Sequence, residues 1–242
     1  LALFFGAMFI LGVYNLFIFF FTRDISYLYY VFYIIGIIAH HLIYVGIANI
    51  YLINQSTIIT IIEYASILVA FPIFALALFT KSFLNTNQYP KLNKILILFL
   101  IVIPISVIIF TSTDIFNKYR NLLSLCLIVY LMIVTIYATY KKNRQAYFVL
   151  FGWLIIFISI ILMYLSSIGI FSIYTYFPYI VELSLVIEAI IFSIALADKI
   201  KQLQKDKIEA KQKLFNQQKN EKERLSIQVE EKTNDLKVAL DE

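Results

Sequence analysis

The sequence predicts an all-α protein, a seven-helix transmembrane bundle followed by a long cytoplasmic coiled-coil helix. Of its 242 residues, 62% are hydrophobic and only 14% are charged, whereas soluble domains are about half apolar and a quarter charged. Apolar runs dominate residues 1–197, while residues 198–242 hold more than half of the charged side chains. These observations exclude a water-soluble globule. They predict a seven-transmembrane sensory domain over 1–197 and a cytoplasmic signalling helix over 198–242.

Charged residues and Gly, Pro or Asn interruptions divide the first segment into seven apolar runs. A helix needs about 20 mostly apolar residues to cross ~30 Å of hydrocarbon. Helices are expected because lipid requires every backbone group to bond internally, whereas a β-barrel would show alternating segments of ~10 residues. The predicted spans are 1–21, 27–47, 57–79, 95–110, 120–140, 146–170 and 178–197.

Taken in order, several spans carry a residue with a structural consequence. Asn15 in the first span is predicted to bond a neighbouring helix. Pro72 in the third span and Pro104 in the short fourth span are predicted to kink their helices. Cys126, alone in the apolar fifth span, is interpreted as an inert core residue. Pro178 is expected to open the seventh helix, where its missing N–H costs nothing.

Basic residues in short loops predict the orientation, because such residues collect on the cytoplasmic side. The loops after the first, third and fifth spans carry most of them, and Lys118 and Arg120 lie on the other side. The amino terminus is therefore expected outside and the carboxyl terminus in the cytoplasm. Tyrosines near the span ends are interpreted as interfacial anchors. They are Tyr27, Tyr29 and Tyr30 on the inner side and Tyr51, Tyr174, Tyr176 and Tyr179 on the outer side.

The tail is predicted to form a long helix that continues the seventh span, since residues 198–242 contain no Gly or Pro. A heptad seam with polar positions and a one-residue slip predicts a weak homodimeric coiled coil. Two registers of similar energy suit a signalling rod, and a passive spacer is the alternative. The seam positions are Ile200, Leu203, Lys207, Ala210, Leu214 and Gln217, then Leu225, Val229, Lys232, Leu236 and Ala239.

Ionisable side chains at membrane depth are the candidate ligand-binding or proton-sensing residues, because a charge at the bilayer centre costs about 3 kcal/mol or more. They are His40, His41, Glu63, Glu182 and Glu188. His41, Glu63 and Glu182 fall at similar outer depth and predict a His–Glu cluster that faces an outward pocket. Glu188 lies near mid-membrane and about 120° around the helix from Glu182, so the two cannot share a partner. Structural hydrogen bonding between helices is the alternative.

Motifs of enzyme chemistry are absent from the sequence, which has no P-loop, no glycine-rich dinucleotide turn, no Gly-x-Ser-x-Gly and no Cys-x-x-Cys. We therefore expect no catalytic residue, no metal site and no cofactor in this segment. The surplus of basic residues lies between apolar runs, so the lipid bilayer, and not nucleic acid, is the expected partner. The chain starts inside an apolar run without Met or a positive leader region, which predicts a piece of a longer protein.

Several short segments follow one another in a characteristic order along the seven spans. They are Gly12-Val13-Tyr14-Asn15-Leu16, Arg23-Asp24 with Tyr27-Leu28-Tyr29-Tyr30, Gly46, Phe83-Leu84, and Ala195-Leu196-Ala197-Asp198-Lys199-Ile200. Through these segments, residues 1 to about 204 resemble the membrane domain of bacterial seven-transmembrane receptors with diverse intracellular signalling modules.

The resemblance implies a place in the bacterial cytoplasmic (inner) membrane, with an extracellular sensor domain and a cytoplasmic output domain in the same chain. Residues 236–242 are similar to the run before the phosphoacceptor helix of two-component sensor histidine kinases. The expected output is therefore a histidine kinase, with a diguanylate cyclase as the alternative. The residues expected to relay the signal are Ala195, Ala197, Asp198, Lys199 and Ile200.

The function predicted from these features is a membrane signal-transduction receptor domain. One alternative is a transporter or proton pathway that uses the intramembrane histidine and glutamate residues. Another is a passive anchor and dimeriser for an outer sensor. The odd number of spans, the lack of a detectable repeat between halves and the charged tail argue against transport.

Overall fold

The computed structural model describes residues 1–51, 57, 65–112, 121–170 and 172–241, and within them the fold is all-helical. Short helices at Ile47–Tyr51 and Ile173–Tyr176 and a 3-10 helix at Thr86–Gln88 lie in the connections between long helices. The long helices are α1 (Ala2–Thr22), α2 (Ile25–Tyr44), α3 (Ala65–Phe83), α4 (Pro90–Ser112), α5 (Leu122–Tyr140), α6 (Arg144–Ser167) and α7 (Ile180–Asp241).

Six helices in the described part of the chain are long and apolar enough to cross a membrane. They overlap the predicted spans other than the third. The third predicted span, 57–79, begins largely outside the described residues, and the apolar stretch there is the shorter Ile67–Phe83. The seven membrane crossings expected from the sequence therefore remain a prediction.

Most helix boundaries differ from the predicted ones by a few residues, and two of the differences involve proline. α4 begins at Pro90, earlier than the predicted 95, and it continues through Pro104. Proline suits the first helical turn because its missing N–H would be unpaired there in any case. α7 begins at Ile180, so Pro178 lies just before the helix and not within it.

Polar residues in the turns between helices end one helix or cap the next. Arg23 ends α1 in the left-handed conformation, with φ 58°, and the Asp24 carboxylate then caps α2 by accepting from the Ser26 N–H at 2.9 Å. Asn143 caps α6 by accepting from the Gln145 N–H at 3.1 Å. Its side-chain amide also donates to the Leu84 carbonyl at 3.0 Å, which ties the α5–α6 turn to the end of α3.

The bundle packs around α2, whose most extensive contacts are with α3 and α1. The close approach of α2 to α3 depends on Gly36, because a Cβ added there would lie 2.9 Å from the Pro72 Cβ. Small residues permit such contacts between membrane helices, where van der Waals packing drives association. α3 also packs against α4 and α5, and α5 against α6.

α7 bonds to the other helices through polar side chains. The Asn15 amide donates to the Ser193 hydroxyl at 3.0 Å, which confirms the predicted interhelical role of Asn15. The hydroxyls of Ser159 and Ser184 lie 2.9 Å apart and join α6 to α7.

Burial corrects two interpretations made from sequence. Tyr27 and Tyr30 are fully buried in the bundle, so they are core residues and not interfacial anchors; their position near a span end was the misleading signal. Cys126 is exposed, because the apolar faces of these helices turn toward lipid as well as toward the core. The outer tyrosines Tyr51, Tyr176 and Tyr179 are exposed, and the side chain of Tyr174 lies outside the described part.

The chain divides into two compact units, Leu1–Leu196 and Ala197–Glu242. Exposed i,i+4 ion pairs occur in the second unit, Lys205–Glu209 at 3.8 Å and Lys219–Glu223 at 3.9 Å. Apolar seam residues there are also exposed in the single chain, namely Leu203, Leu214, Leu225 and Val229. The coiled coil remains a prediction that requires a second chain.

Candidate functional site

Helices α2 and α7 run antiparallel, and several polar contacts join them. The Tyr30 hydroxyl donates to the Ala189 carbonyl, and the Tyr33 hydroxyl donates to the Glu188 carboxylate at 2.7 Å. Further along, His41 Nε2 lies 3.8 Å from Glu182 Oε1. The contacts ascend α2 as they descend α7, as expected for antiparallel helices.

The carboxyl group of Glu188 is deeply buried at this interface, since the residue is only 1% exposed. Tyr33, itself 5% exposed, is its hydrogen-bond donor among the described side chains. A buried carboxyl without a hydrogen-bond partner would carry its full desolvation cost. Tyr33 and Glu188 therefore form one unit.

The pair of His41 and Glu182 is a looser contact. Its 3.8 Å separation exceeds the usual hydrogen-bond range of 2.7–3.2 Å, so the interaction depends on a protonated imidazole. Aromatic rings hold the two histidines in place. The His41 ring lies 4.8 Å from that of Phe4, and His40 stacks on Tyr44 at 5.9 Å with an interplanar angle of 10°.

A cavity of about 410 Å³ opens beside these polar side chains. Most of its polar lining comes from α2 and α7, namely Tyr33, His40, His41 and Glu188. Helices α3, α5 and α6 contribute side chains that are apolar except for the indole N–H of Trp153, which has no hydrogen-bond partner among the described residues. Among these side chains are Pro72, Ile73, Leu76, Ile128, Trp153, Ile156, Phe157 and Ile160. The cavity thus has a polar wall and an apolar wall within the membrane-spanning unit.

Gly152 brings α6 close to the same part of α7. A Cβ added at Gly152 would lie 2.8 Å from the Phe192 ring and 3.2 Å from the Glu188 Cγ. Any larger residue would push α6 away from Glu188. The width of the cavity on this side therefore depends on a glycine.

The structure places the candidate residues in three ways. His41 and Glu182 come together, and Glu63 lies outside the described residues. Glu188 faces a different partner from Glu182, namely Tyr33, as their angular separation on one helix requires. In the described part of the chain, no group of three or more His, Cys, Asp or Glu is arranged to hold a metal ion.

Sequence reasoning missed Tyr33 and Trp153. Tyr33 precedes Ile37 by four residues and His40 by seven, which is the spacing of one helix face. The sequence could therefore have predicted that Tyr33 lies on the same face of α2 as His40. Trp153 is buried within α6, whereas tryptophan in membrane proteins is enriched at the two interfaces. Its mid-span position was the signal there. Gly152 offered none, since its role depends on which helix lies opposite.

The expected relay residues follow the polar contacts of α7 in the sequence. Ala195 is fully buried, and Ala197 is exposed. Asp198, Lys199 and Ile200 are partly buried. All five belong to the single helix Ile180–Asp241.

Comparisons with known proteins find one family. Residues 1–199 match the model of the family described as 7TM diverse intracellular signalling. No curated protein and no solved structure matches the chain.

Proposed function

The chain belongs to the 7TM diverse intracellular signalling family, and from this premise we propose that it is the membrane domain of a sensory receptor that relays an extracellular signal through α7 to a cytoplasmic output enzyme. The observation that carries the proposal is the place of α7 in the bundle. This helix bonds α1 through Ser193, α2 through Glu188, and α6 through Ser184. A rearrangement of any of these helices must therefore act on α7.

The route from the bundle to the output follows from the continuity of this helix. α7 runs from Ile180 to Asp241, and residues 198–242 contain no Gly or Pro that would interrupt it. A rotation or shift of its membrane part is then passed on through Ala195 to Ile200. Complete switching between two states, from 1:99 to 99:1, requires about 5.5 kcal/mol of differential binding, which a small ligand or an outer domain can supply.

The tail is proposed to act as a homodimer. Leu203, Leu214, Leu225 and Val229 are exposed in the single chain, and a second copy of the seam would cover them as in a parallel coiled coil. The output enzyme is proposed to be a two-component histidine kinase, on the likeness of residues 236–242 to the run that precedes a phosphoacceptor helix. A diguanylate cyclase is the alternative output.

The proposed location is the bacterial inner membrane, with the amino terminus outside and the carboxyl terminus in the cytoplasm. The distribution of basic loops supports this orientation. An extracellular sensor domain in the same protein would then contact the outer end of the bundle.

A proton pathway along α2 and α7 fits the geometry less well. Glu182 and Glu188 are six residues apart, roughly 9 Å along a helix. Between them the cavity wall is formed by Ile37 and Leu185, which cannot carry a proton. The polar groups thus form two separate pairs and not a chain.

Disulfide crosslinking in native membranes tests the dimeric relay. Cys126 is replaced by alanine, and single cysteines are placed at each position from 200 to 233. We expect crosslinking to peak every ~3.5 residues, with maxima at seam positions such as Leu203 and Leu214 and minima at Lys205 and Glu209. An absence of dimer crosslinks along the whole segment would contradict the proposal and favour a monomeric transporter.

A further inference from the structure

The cavity beside α7 has an uneven distribution of polar groups that bears on what it can hold. Most of its polar side chains, Tyr33, His40, His41 and Glu188, belong to α2 and α7, whereas the lining from α3, α5 and α6 is apolar except for the indole N–H of Trp153. Ordered water needs two to four polar partners, and that wall offers only this one donor among the described side chains. A molecule with an apolar body and one polar group matches both walls.

The size of the cavity fits a small molecule. At about 410 Å³, it lies within the usual range of ligand pockets, roughly 300–1,000 Å³. Such pockets are mostly apolar and contain a few polar groups that fix the orientation of the ligand. The cavity shares this composition, and it lies in a unit whose surroundings are lipid.

The polar wall also restricts the chemistry of the polar group. A carboxylate has about four lone-pair positions, and the Tyr33 hydroxyl occupies one of those on Glu188. A ligand hydroxyl can donate to the same carboxyl group. An anionic head group would face the Glu188 carboxyl group, and a cationic one would first have to be desolvated at membrane depth.

We propose that this cavity binds a neutral amphipathic small molecule, with its apolar body against α3, α5 and α6 and a hydroxyl group that donates to Glu188. The proposal deepens the receptor function, on which it rests, by naming the class of molecule that the membrane domain senses. The ligand would contact Leu185 and Glu188 of α7 directly. Its binding would therefore act on the proposed relay helix without an intermediate residue.

The chain contains its own reporter for this site. Trp153 is its one tryptophan, it lines the cavity, and it is only 5% exposed. Bromine quenches indole fluorescence on contact.

The 242-residue chain is reconstituted in liposomes of dioleoyl phosphatidylcholine and titrated with 11-bromo-1-undecanol, 1-bromoundecane or 11-bromoundecylamine.

The bromoalcohol is expected to quench Trp153 fluorescence with a saturable curve, and unbrominated 1-undecanol is expected to reverse the effect. The bromoalkane should require roughly tenfold more compound, the usual consequence of one lost hydrogen bond. Equal quenching by alcohol and alkane, or stronger binding of the amine, would overturn the hydroxyl assignment. Quenching that rises linearly with all three compounds would show simple partitioning into lipid and overturn the site.

Two matched variants on α6 locate the binding. Ile156→Phe fills the cavity, because Ile156 lines it, and should abolish the saturable component. Ile158→Phe makes the same change on an exposed face and should leave the curve unchanged. An identical curve for wild type and Ile156→Phe would contradict the proposal. If Ile156→Phe does not fold, as judged by circular dichroism, Ile73→Phe fills the cavity from α3.

The quenching and crosslinking experiments distinguish a failure of the ligand-binding proposal from a failure of the receptor proposal. Saturable quenching without any change of tail crosslinking would leave the ligand site standing and remove the receptor function. A periodic crosslinking pattern together with linear quenching would support the dimeric relay and remove the cavity ligand.

Discussion

At the scale of single residues, Glu188 and Tyr33 depend on one another. The carboxyl group is buried within the bundle, and the tyrosine hydroxyl 2.7 Å away is its described donor. Removing that donor leaves a buried acceptor unsatisfied, which costs about 1–3 kcal/mol. We expect Tyr33→Phe to lower the free energy of unfolding by this amount, measured by circular dichroism in micelles titrated with dodecyl sulfate. Tyr14→Phe, at an exposed position of α1, is the control and should change stability by less than about 0.5 kcal/mol. Equal stability of the two variants would show that the hydrogen bond contributes nothing.

Glu182 and Glu188 are expected to behave differently although both are glutamates on α7. Glu188→Ala removes a buried group and leaves the Tyr33 hydroxyl without its acceptor, so we expect a loss of about 1–3 kcal/mol. Glu182→Ala breaks the 3.8 Å contact with His41, which is longer than a hydrogen bond, so we expect a smaller loss. The same unfolding titration measures both. A larger effect at Glu182 would reverse the ranking and place the main interaction at the outer pair.

Prediction of single residues from the sequence succeeded where a polar side chain in an apolar span could find a hydrogen-bond partner only on a neighbouring helix. Asn15 lies in an apolar run, so a bond to another helix was the expected outcome, and Ser193 provides it. Tyr33 was not identified because tyrosine is amphipathic and belongs equally well to an interface or to a core. The choice depends on which helix lies opposite, and hydropathy does not contain that information.

At the scale of helices, two glycines set the separation of neighbouring elements. A Cβ at Gly36 would lie 2.9 Å from Pro72, and one at Gly152 would lie 2.8 Å from Phe192. Both distances are too short for real contacts, so α3 or α7 would have to shift. Overpacking of this kind costs typically 1–3 kcal/mol.

We therefore expect Gly36→Ala and Gly152→Ala each to destabilise the bundle by about 1–3 kcal/mol. Gly6→Ala is the matched control, because nothing lies within 4 Å of a Cβ at that position, and alanine there should be neutral or slightly stabilising. Thermal unfolding in detergent compares the three variants. A destabilised Gly6→Ala or an unchanged Gly152→Ala would show that close helix packing is not the role of these glycines.

Two helix starts, predicted at 27 and 146 from hydropathy, carry a chemical signal that the hydropathy division did not use. Asp24 and Asn143 are side chains that cap helices well, and α2 and α6 begin directly after them. The start of α4 was misplaced because Lys91 and Lys94 were taken as the end of a loop. Long basic side chains can lie in the first turns of a membrane helix and extend to the interface, so charge alone did not mark that boundary.

At the scale of the whole molecule, the order of the helices was readable from hydropathy, whereas their arrangement was not. Continuous apolar runs predict helices, but they are apolar on all sides, so no face signals its neighbour. The sequence placed His41 of α2 and Glu182 of α7 at similar depth, whereas the Tyr33–Glu188 contact and the side chains that line the cavity came only from the structure. The family, by contrast, was accessible from short segments because their order along the chain is specific.

The central claim is that the state of the bundle at the cavity is coupled to the pairing of the tail. The most direct measurement compares disulfide crosslinking from position 200 to 233 in three proteins that lack Cys126: the parent, Ile156→Phe and Ile158→Phe. Filling the cavity changes the packing against Leu185 and Glu188, so we expect Ile156→Phe to shift the phase or the strength of the ~3.5-residue pattern, with Ile158→Phe matching the parent. Identical patterns in all three proteins, with Ile156→Phe folded, would contradict the coupling and leave the bundle as an anchor.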